Sequence, residues 1–375
     1  MPEMHEDKSK SYAIEKYAVY FINLAASLVF LMVYQLAASH PLKELSFKLN
    51  NNFYAALTVY ILIFTIIESI ITFPVHFYGS YILEHKYDLS NQGLAGWVID
   101  EIKQGMISLI VFIPMINIFY YVIGATGKDW WMWFWLIYFL FTVIFTRVTP
   151  SIIIPLFYKY SKIQDLELCD MIKKTAANSG IKLIDVFCID FSSKTKKANA
   201  AIVGIGGSRR MLLTDNLINN FTKDEIEVIS GHEFGHHKFW HMWKLIIFSC
   251  LATGIGFFIL NTVMTKFIVM FKADYIQDFV MFPAFVLVLS ELSFIFMPIQ
   301  NAYSRKLERQ ADDFAISITG KAGAFISSME KLAKINLALL TPPKIIKYMF
   351  YSHPPISERI EFAREKAVKQ ACGHI

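Results

Sequence analysis

His232 and His236 stand four residues apart in the run His232-Glu233-Phe234-Gly235-His236. On a helix this spacing puts both imidazoles on one face, one turn apart, where two nitrogens can reach a single metal ion at about 2.0–2.1 Å. Glu233 follows the first histidine and can reach an activated water without itself binding the metal. This is the H-E-x-x-H spacing of zinc hydrolases, in which the glutamate is the general base. The same five residues also arise by chance on an amphipathic helix, so the surrounding element decides. Thr222 and Glu225 form T-x-x-E, a capping box that starts a helix. That helix runs through Ile226 and Ile229 directly into the histidines. His237 points about 100° away from His236 and reads as a packing or surface residue.

Two histidines leave a catalytic zinc site one protein ligand short. Glu308 and Asp312, also four apart, share a helix face in the segment that begins at Ser304. Glu308 can serve as third ligand while Asp312 accepts a hydrogen bond from a ligand imidazole. The same spacing also fits two charges on a solvated helix, and the residues alone leave both open.

The elements that must position these groups lie in a membrane. The 375 residues are 55% hydrophobic and 18% charged, with a mean hydropathy of +0.42 and 33 Phe. Soluble domains average roughly 45–50% apolar and about 25% charged residues. Six apolar stretches approach the ~20 residues that cross a bilayer, over about 17–38, 54–78, 104–125, 130–157, 242–265 and 277–303. The fold class is therefore mostly α, a multi-pass helical bundle of about six spans with an α+β zinc-peptidase domain. Residues 1–157 form an N-terminal transmembrane region with four spans. Residues 158–241 and 304–375 form the peptidase domain, and 242–303 hold two further spans. Within the domain, Asp165 to Ser179 reads as a helix closed by Gly180, and Ile184 to Ile189 as a strand. Ala200 to Gly204 and Met211 to Leu213 read as a hairpin around Gly206-Gly207-Ser208.

The net charge of +5 is modest, and Lys and Arg are scattered between apolar runs, which excludes a nucleic-acid surface. Lys and Arg concentrate in the two polar segments, while the opposite loops keep Lys43, Lys48, Lys128, Lys266 and Lys272. The positive-inside rule then puts the catalytic side in the cytoplasm. The host membrane would be the endoplasmic reticulum in a eukaryote or the inner membrane in a prokaryote. The polar N-terminus and the long first span do not read as a cleavable signal. Cys169, Cys188, Cys250 and Cys372 lack paired spacing, so they read as thiols in a reducing compartment rather than as disulfides or zinc ligands. Cys372, fourth from the end, is a chance match to a prenylation signal. Glu291 falls inside the sixth span and should line a cavity or contact a neighbouring helix. Trp130-Trp131-Met132-Trp133 reads as an interfacial belt.

Further motifs sharpen the picture. They are Leu83-Glu84-His85-Lys86-Tyr87 with Asn91-Gln92, Ile154-Pro155-Leu156-Phe157, Asn199-Ala200, and His241 beyond the histidine pair. Ser304-Arg305 through Glu308 to Ala311-Asp312, and Tyr351-Ser352-His353-Pro354-Pro355 with Arg359, complete them. From about residue 55 onward the chain resembles the integral-membrane zinc endopeptidases that include CAAX prenyl protease 1, in a short form like the prokaryotic members. The resemblance implies a peptidase domain of the gluzincin type with one Zn2+ per chain, Glu308 as third ligand and His241 in a structural role. It implies that His353 and Arg359 stabilise the oxyanion, and that Asn199-Ala200 lies on an edge strand that pairs with the substrate backbone. It also implies a peptide or protein substrate, prenylated or not, and contact with membrane lipid. The eukaryotic members carry seven spans, against six read here. His353 can alternatively be a plain turn residue before the two prolines.

Peptide hydrolysis near the membrane, of the type that removes a C-terminal tripeptide from prenylated CAAX proteins, is the expected reaction. A quality-control protease that degrades misfolded membrane proteins shares the metal motif. A transporter or scaffold with structural zinc is the alternative from another class, but the two halves show no internal symmetry. The sequence says nothing of oligomeric state.

Overall fold

Apolar stretches this long become helices because a helix satisfies its own backbone polar groups where no water can. In the computed structural model, which describes residues 2–204 and 209–371, helices dominate. The turn at Gly206-Gly207-Ser208 and Cys372 lie outside the described residues. Helix α1 (Pro2–Val33) continues through a π-helical turn, Tyr34–Ala38, into α2 (Ser39–Leu49). Helix α3 (Phe53–Phe77) starts on Asn52, whose side chain accepts from the N–H groups of Tyr54 and Ala55, and leads to the short α4 (Leu83–Lys86). Then come α5 (Leu94–Thr126), α6 (Trp130–Val148) and α7 (Ile154–Phe157).

Five helical runs are long and apolar enough to cross a membrane: Asp7–Leu49, Phe53–Lys86, Leu94–Phe157, His241–Met270 and Phe279–Thr319. The longest folds back at Gly127, whose φ of 56° suits glycine. The rings of Phe119 and Phe134 sit 4.7 Å apart. In a straight helix those residues would be about 22 Å apart. This run therefore makes two passes, and the described residues hold six.

Tyr60, Tyr120, Trp130 and Phe279 are fully buried in the bundle core. Trp130 thus departs from the interfacial belt expected of it. It opens α6 facing inward, edge-on to Phe119, while Trp133 stays exposed. Ile110, Leu251, Val269 and Ile295 point outward, an apolar surface suited to lipid. Polar clamps hold the passes together. Gln35 Nε2 donates to the Val280 carbonyl at 3.1 Å and its Oε1 accepts from the Ala284 N–H at 3.0 Å. Lys43 Nζ lies 2.6 Å from Asp278 Oδ2. Glu291 is exposed on its helix instead of being packed between helices.

After α7 comes a four-stranded sheet: β1 (Tyr160–Lys162), β2 (Asp185–Ile189), β3 (Ala200–Val203) and β4 (Arg210–Thr214). The order is β1-β2-β4-β3, with β2 and β4 parallel and the outer pairings antiparallel. Both the helix and the strands expected here are present, and β3 and β4 pair as expected of a hairpin. The short β1 and the parallel pairing are additions that local sequence does not signal. Helix α8 (Leu166–Asn178), capped by Asp165, packs Leu168 and Ile172 with Val186, Met211, Leu213 and Phe234. Next follow α9 (Asp215–Asn220), α10 (Lys223–Lys238) and α11 (His241–Met270). The capping box on α10 is complete, with both the Thr222 and the Glu225 side-chain bonds in place.

Helix α12 spans Phe282–Thr319, 38 residues without a break. The last apolar pass and the polar segment from Ser304 are therefore one rod rather than a span followed by a separate tail. Helices α13 (Ala322–Ile335), α14 (Lys344–Phe350) and α15 (Ile356–Ala371) close the chain.

Candidate metal centre

Helix α10 lies against α12 through small residues. A Cβ added at Gly235 would meet Ala311 Cα at 3.1 Å, and one at Gly231 would meet Ala315 Cα at 3.4 Å. Two glycines four apart face two alanines four apart, so the helix backbones approach as closely as side chains permit. His232 and His236 flank the glycines, and Glu308 and Asp312 flank the alanines. The close approach is what brings the four together.

His232 Nε2 and His236 Nε2 are 3.0 Å apart. Glu308 Oε2 lies 3.2 Å from His232 Nε2, and Oε1 lies 3.4 Å from His236 Nε2. Each side chain offers one donor atom, and these atoms all lie within 4.8 Å of one another, a group that could hold one metal ion. Glu308 Oε2 is buried and makes no hydrogen bond among the described residues. A buried carboxylate oxygen without a hydrogen-bond partner is costly, and a cation at this point would offset that cost. Two imidazoles and one carboxylate are also a donor set of catalytic zinc.

A second layer fixes these groups. Asp312 is fully buried, with Oδ1 2.8 Å from His232 Nδ1. Arg359 donates to it through Nε at 2.9 Å and Nη2 at 2.5 Å. Burial alone would lower His232, but the Asp312 and Glu308 carboxylates outweigh it and raise the ring to about 9. Burial, and then the neighbouring His232, lower His236 to about 3. On the far side, His236 Nδ1 is 3.0 Å from His241 Nδ1, and His241 Nε2 is 3.1 Å from Gln310 Oε1. The amide oxygen can only accept, so His241 carries its proton on Nε2 and accepts the His236 Nδ1 proton. That leaves His236 Nε2 as a lone pair facing the centre.

Glu233 lines a recess of about 130 Å³ with His232, Asn199, Ala200, His353 and Arg359. Burial, opposed by the His232 and Arg359 charges, raises its carboxyl to about 7. The recess is walled by strand β3, a free sheet edge. The Asn199 carbonyl accepts from the Thr214 N–H at 3.1 Å, so Asn199 faces β4. By alternation, Ala200 and Ile202 point to the open side. Consistently, the Ile202 carbonyl is approached by His237 Nε2 at 3.4 Å, which makes His237 a packing residue. His353 Nε2 lies 3.3 Å from Glu308 Oε1. Its loop is held to α12 by Arg305 Nη1, which donates to the Tyr351 carbonyl at 2.6 Å, and by Asn301 Nδ2, which donates to the Met349 carbonyl at 2.6 Å. All nine residues singled out by sequence thus lie around one cleft. Gln310 and the paired small residues were not singled out. The spacings Gly231…Gly235 and Ala311…Ala315 were a legible sign of close helix packing.

The model of peptidase family M48 matches residues 162–367. The chain belongs to peptidase family M48. A second model, described as the CAAX prenyl protease N-terminal region with five membrane helices, matches residues 1–159. The family likeness therefore reaches the N-terminus, well before the residue near 55 at which motifs first showed it. The matched region holds four passes here. This M48 chain is 30% identical over 311 residues to the uncharacterized metalloprotease YhfN of Bacillus subtilis (strain 168), covering 82% of this chain and 73% of that one. It is 27% identical over 305 residues to the probable CAAX prenyl protease 1 of Schizosaccharomyces pombe, covering 79% of this chain and 63% of that one. The fold matches the crystal structure of S. mikatae Ste24p with a TM-score of 0.86 at 23% identity, covering 97% of this chain and 90% of that one. The M48 protein is a membrane-embedded zinc metallopeptidase.

Proposed function

We propose that this protein cleaves prenylated CAAX proteins near their C-terminus, releasing the last three residues at the cytoplasmic face of its membrane. The convergence of His232, His236 and Glu308 beside Glu233 carries the catalytic part of this reading. The relatives named as CAAX prenyl proteases, together with the Lys/Arg distribution, carry the substrate and the sidedness.

His232, His236 and Glu308 would hold the one zinc ion. Zinc bound there supplies a Lewis acid that polarises the scissile carbonyl and acidifies a water. Glu233 is placed to take the proton of the attacking water on its carboxylate and to pass it to the leaving amine. Burial brings Glu233 close to the pKa a base needs near neutrality. His353 Nε2 and the Arg359 cation stabilise the charge that develops on the carbonyl oxygen. Arg359 spends two nitrogens on Asp312, so it also holds the carboxylate that orients His232. The open edge at Ala200 pairs with the substrate backbone and sets the scissile bond above Glu233.

Mass spectrometry of products from a farnesylated CAAX peptide tests the reading. The expected product pair is the truncated prenyl-peptide and the free tripeptide. Indifference to the prenyl group, with cleavage scattered through unfolded membrane proteins, would favour quality control instead.

A further inference from the structure

A second, larger cavity opens beside the recess, with a volume of about 640 Å³. Asn199, Met329, Leu332, His353 and Arg359 line both. The far wall is the first helix, which contributes Lys16, Tyr17 and Tyr20. Among the described residues no Asp or Glu lines this cavity, whereas Lys16 and Arg359 do. Arg359 is already committed to Asp312. Lys16 forms no ion pair among the described residues. Its Nζ lies over the Tyr12 ring at 5.7 Å.

The acids nearest in sequence and space are engaged elsewhere. Glu15 is taken by Lys86 Nζ at 2.6 Å and by the hydroxyls of Tyr87 and Tyr78. Glu84 is taken by Lys197 Nζ at 2.7 Å and by the Tyr12 hydroxyl. Lys16 is therefore an exposed ammonium without a carboxylate partner among the described residues, facing a chamber lined by apolar and aromatic side chains and by the uncharged polar groups of Asn199, Asn336 and Ser352. An anionic group that enters the chamber therefore meets an ammonium free to form a charge-assisted hydrogen bond with it.

We propose that Lys16 receives the C-terminal carboxylate of the peptide being cleaved. This rests on the peptidase reading above. Three extended residues span about 10 Å, and the volume lies within the roughly 300–1,000 Å³ of ligand clefts. Residues beyond the scissile bond therefore fit between the recess and Lys16. Met329, Leu332, Leu337 and Phe350 offer apolar contact for their side chains. The cavity lies at the Ala198–Asn199 end of β3. A peptide whose C-terminus enters there runs antiparallel to β3, so Lys16 sets the direction in which substrate binds. A chain continuing past this point would present an uncharged amide to Lys16, which limits cleavage to peptide ends.

Two farnesylated peptides, identical except for a terminal carboxylate or carboxamide, test the assignment. Turnover is read with the wild type, and equilibrium binding with zinc-loaded Glu233→Gln. The expected result is an about tenfold preference for the acid, in KM and in binding. Lys16→Met abolishes the preference and Lys16→Arg restores it. An acid preference that survives Lys16→Met overturns the proposal, as does a wild type without one. If wild type cleaves neither peptide while Glu233→Gln shows the Lys16-dependent preference, the carboxylate site stands and the peptidase reading falls.

Discussion

His232 Nδ1 lies 2.8 Å from Asp312 Oδ1, and the same carboxylate is gripped by two nitrogens of Arg359. Asp312 therefore holds a ligand imidazole and a buried cation together. Asp312→Ala leaves Arg359 buried without a partner, a change of about 3–5 kcal/mol in stability. It also frees the His232 ring, and outer-layer partners of metal ligands are worth roughly 10–100-fold in affinity. The expected outcome is zinc lost at a lower chelator concentration and a lower Tm. An unaltered chelator midpoint would show that the ion pair does not orient the ligand.

Glu233 lines the recess and is not among the three side chains whose donor atoms converge on the centre. Glu233→Gln should keep stoichiometric zinc by elemental analysis while kcat drops by about 10²–10⁴, the range for a general base. His232→Ala is the contrasting variant and should lose the metal as well. Equal zinc loss in both would move Glu233 into the ligand set.

The pH profile follows from the same carboxyl. Burial raises Glu233 to about 7. A base acts only when unprotonated, so kcat/KM should rise with pH and level off above the Glu233 pKa. Bound zinc adds positive charge beside it and lowers that pKa, which places the acid limb at or below pH 7. In Glu233→Gln the residual rate should no longer follow this limb. An acid limb of unchanged midpoint in that variant would assign the titration to another group.

Gly235→Ala tests the helix contact. In an ordinary helix interior the change would stabilise by about 1 kcal/mol. Here the new Cβ meets Ala311 Cα at 3.1 Å, and a backbone atom cannot swing aside. The helices must part, at a cost of about 1–3 kcal/mol, and the histidines move away from Glu308. Thermal unfolding and zinc titration should both weaken. A more stable variant with full zinc affinity would refute close packing as the device that sets the ligand distance.

Much of this was legible in the residues because it is local. The capping box at Thr222 and Glu225 and the four-residue spacing of the histidines act within one helix, where periodicity alone sets geometry. Length and hydropathy likewise dictated the passes, since a bilayer admits few backbone solutions. The turn at Gly127 that splits one run of 64 residues was readable from the glycine beside a new aromatic stretch.

Other features exist only once distant segments meet. Glu308 and Asp312 are a charge pair like many others until the Gly231 and Gly235 notches seat α12 against α10. The Asn199 carbonyl turns toward β4, and so Ala200 toward the cleft, only because β4 pairs on one side of β3. Arg359 and Lys16, 343 positions apart in the numbering of a 375-residue chain, line one cavity without a shared motif. Sequence determined the elements and the donor types, because those follow from spacing within a helix and from transfer into lipid. Tertiary structure decided which donors face one another and which cation stays unpaired, because packing and charge compensation depend on neighbours that the chain order does not specify.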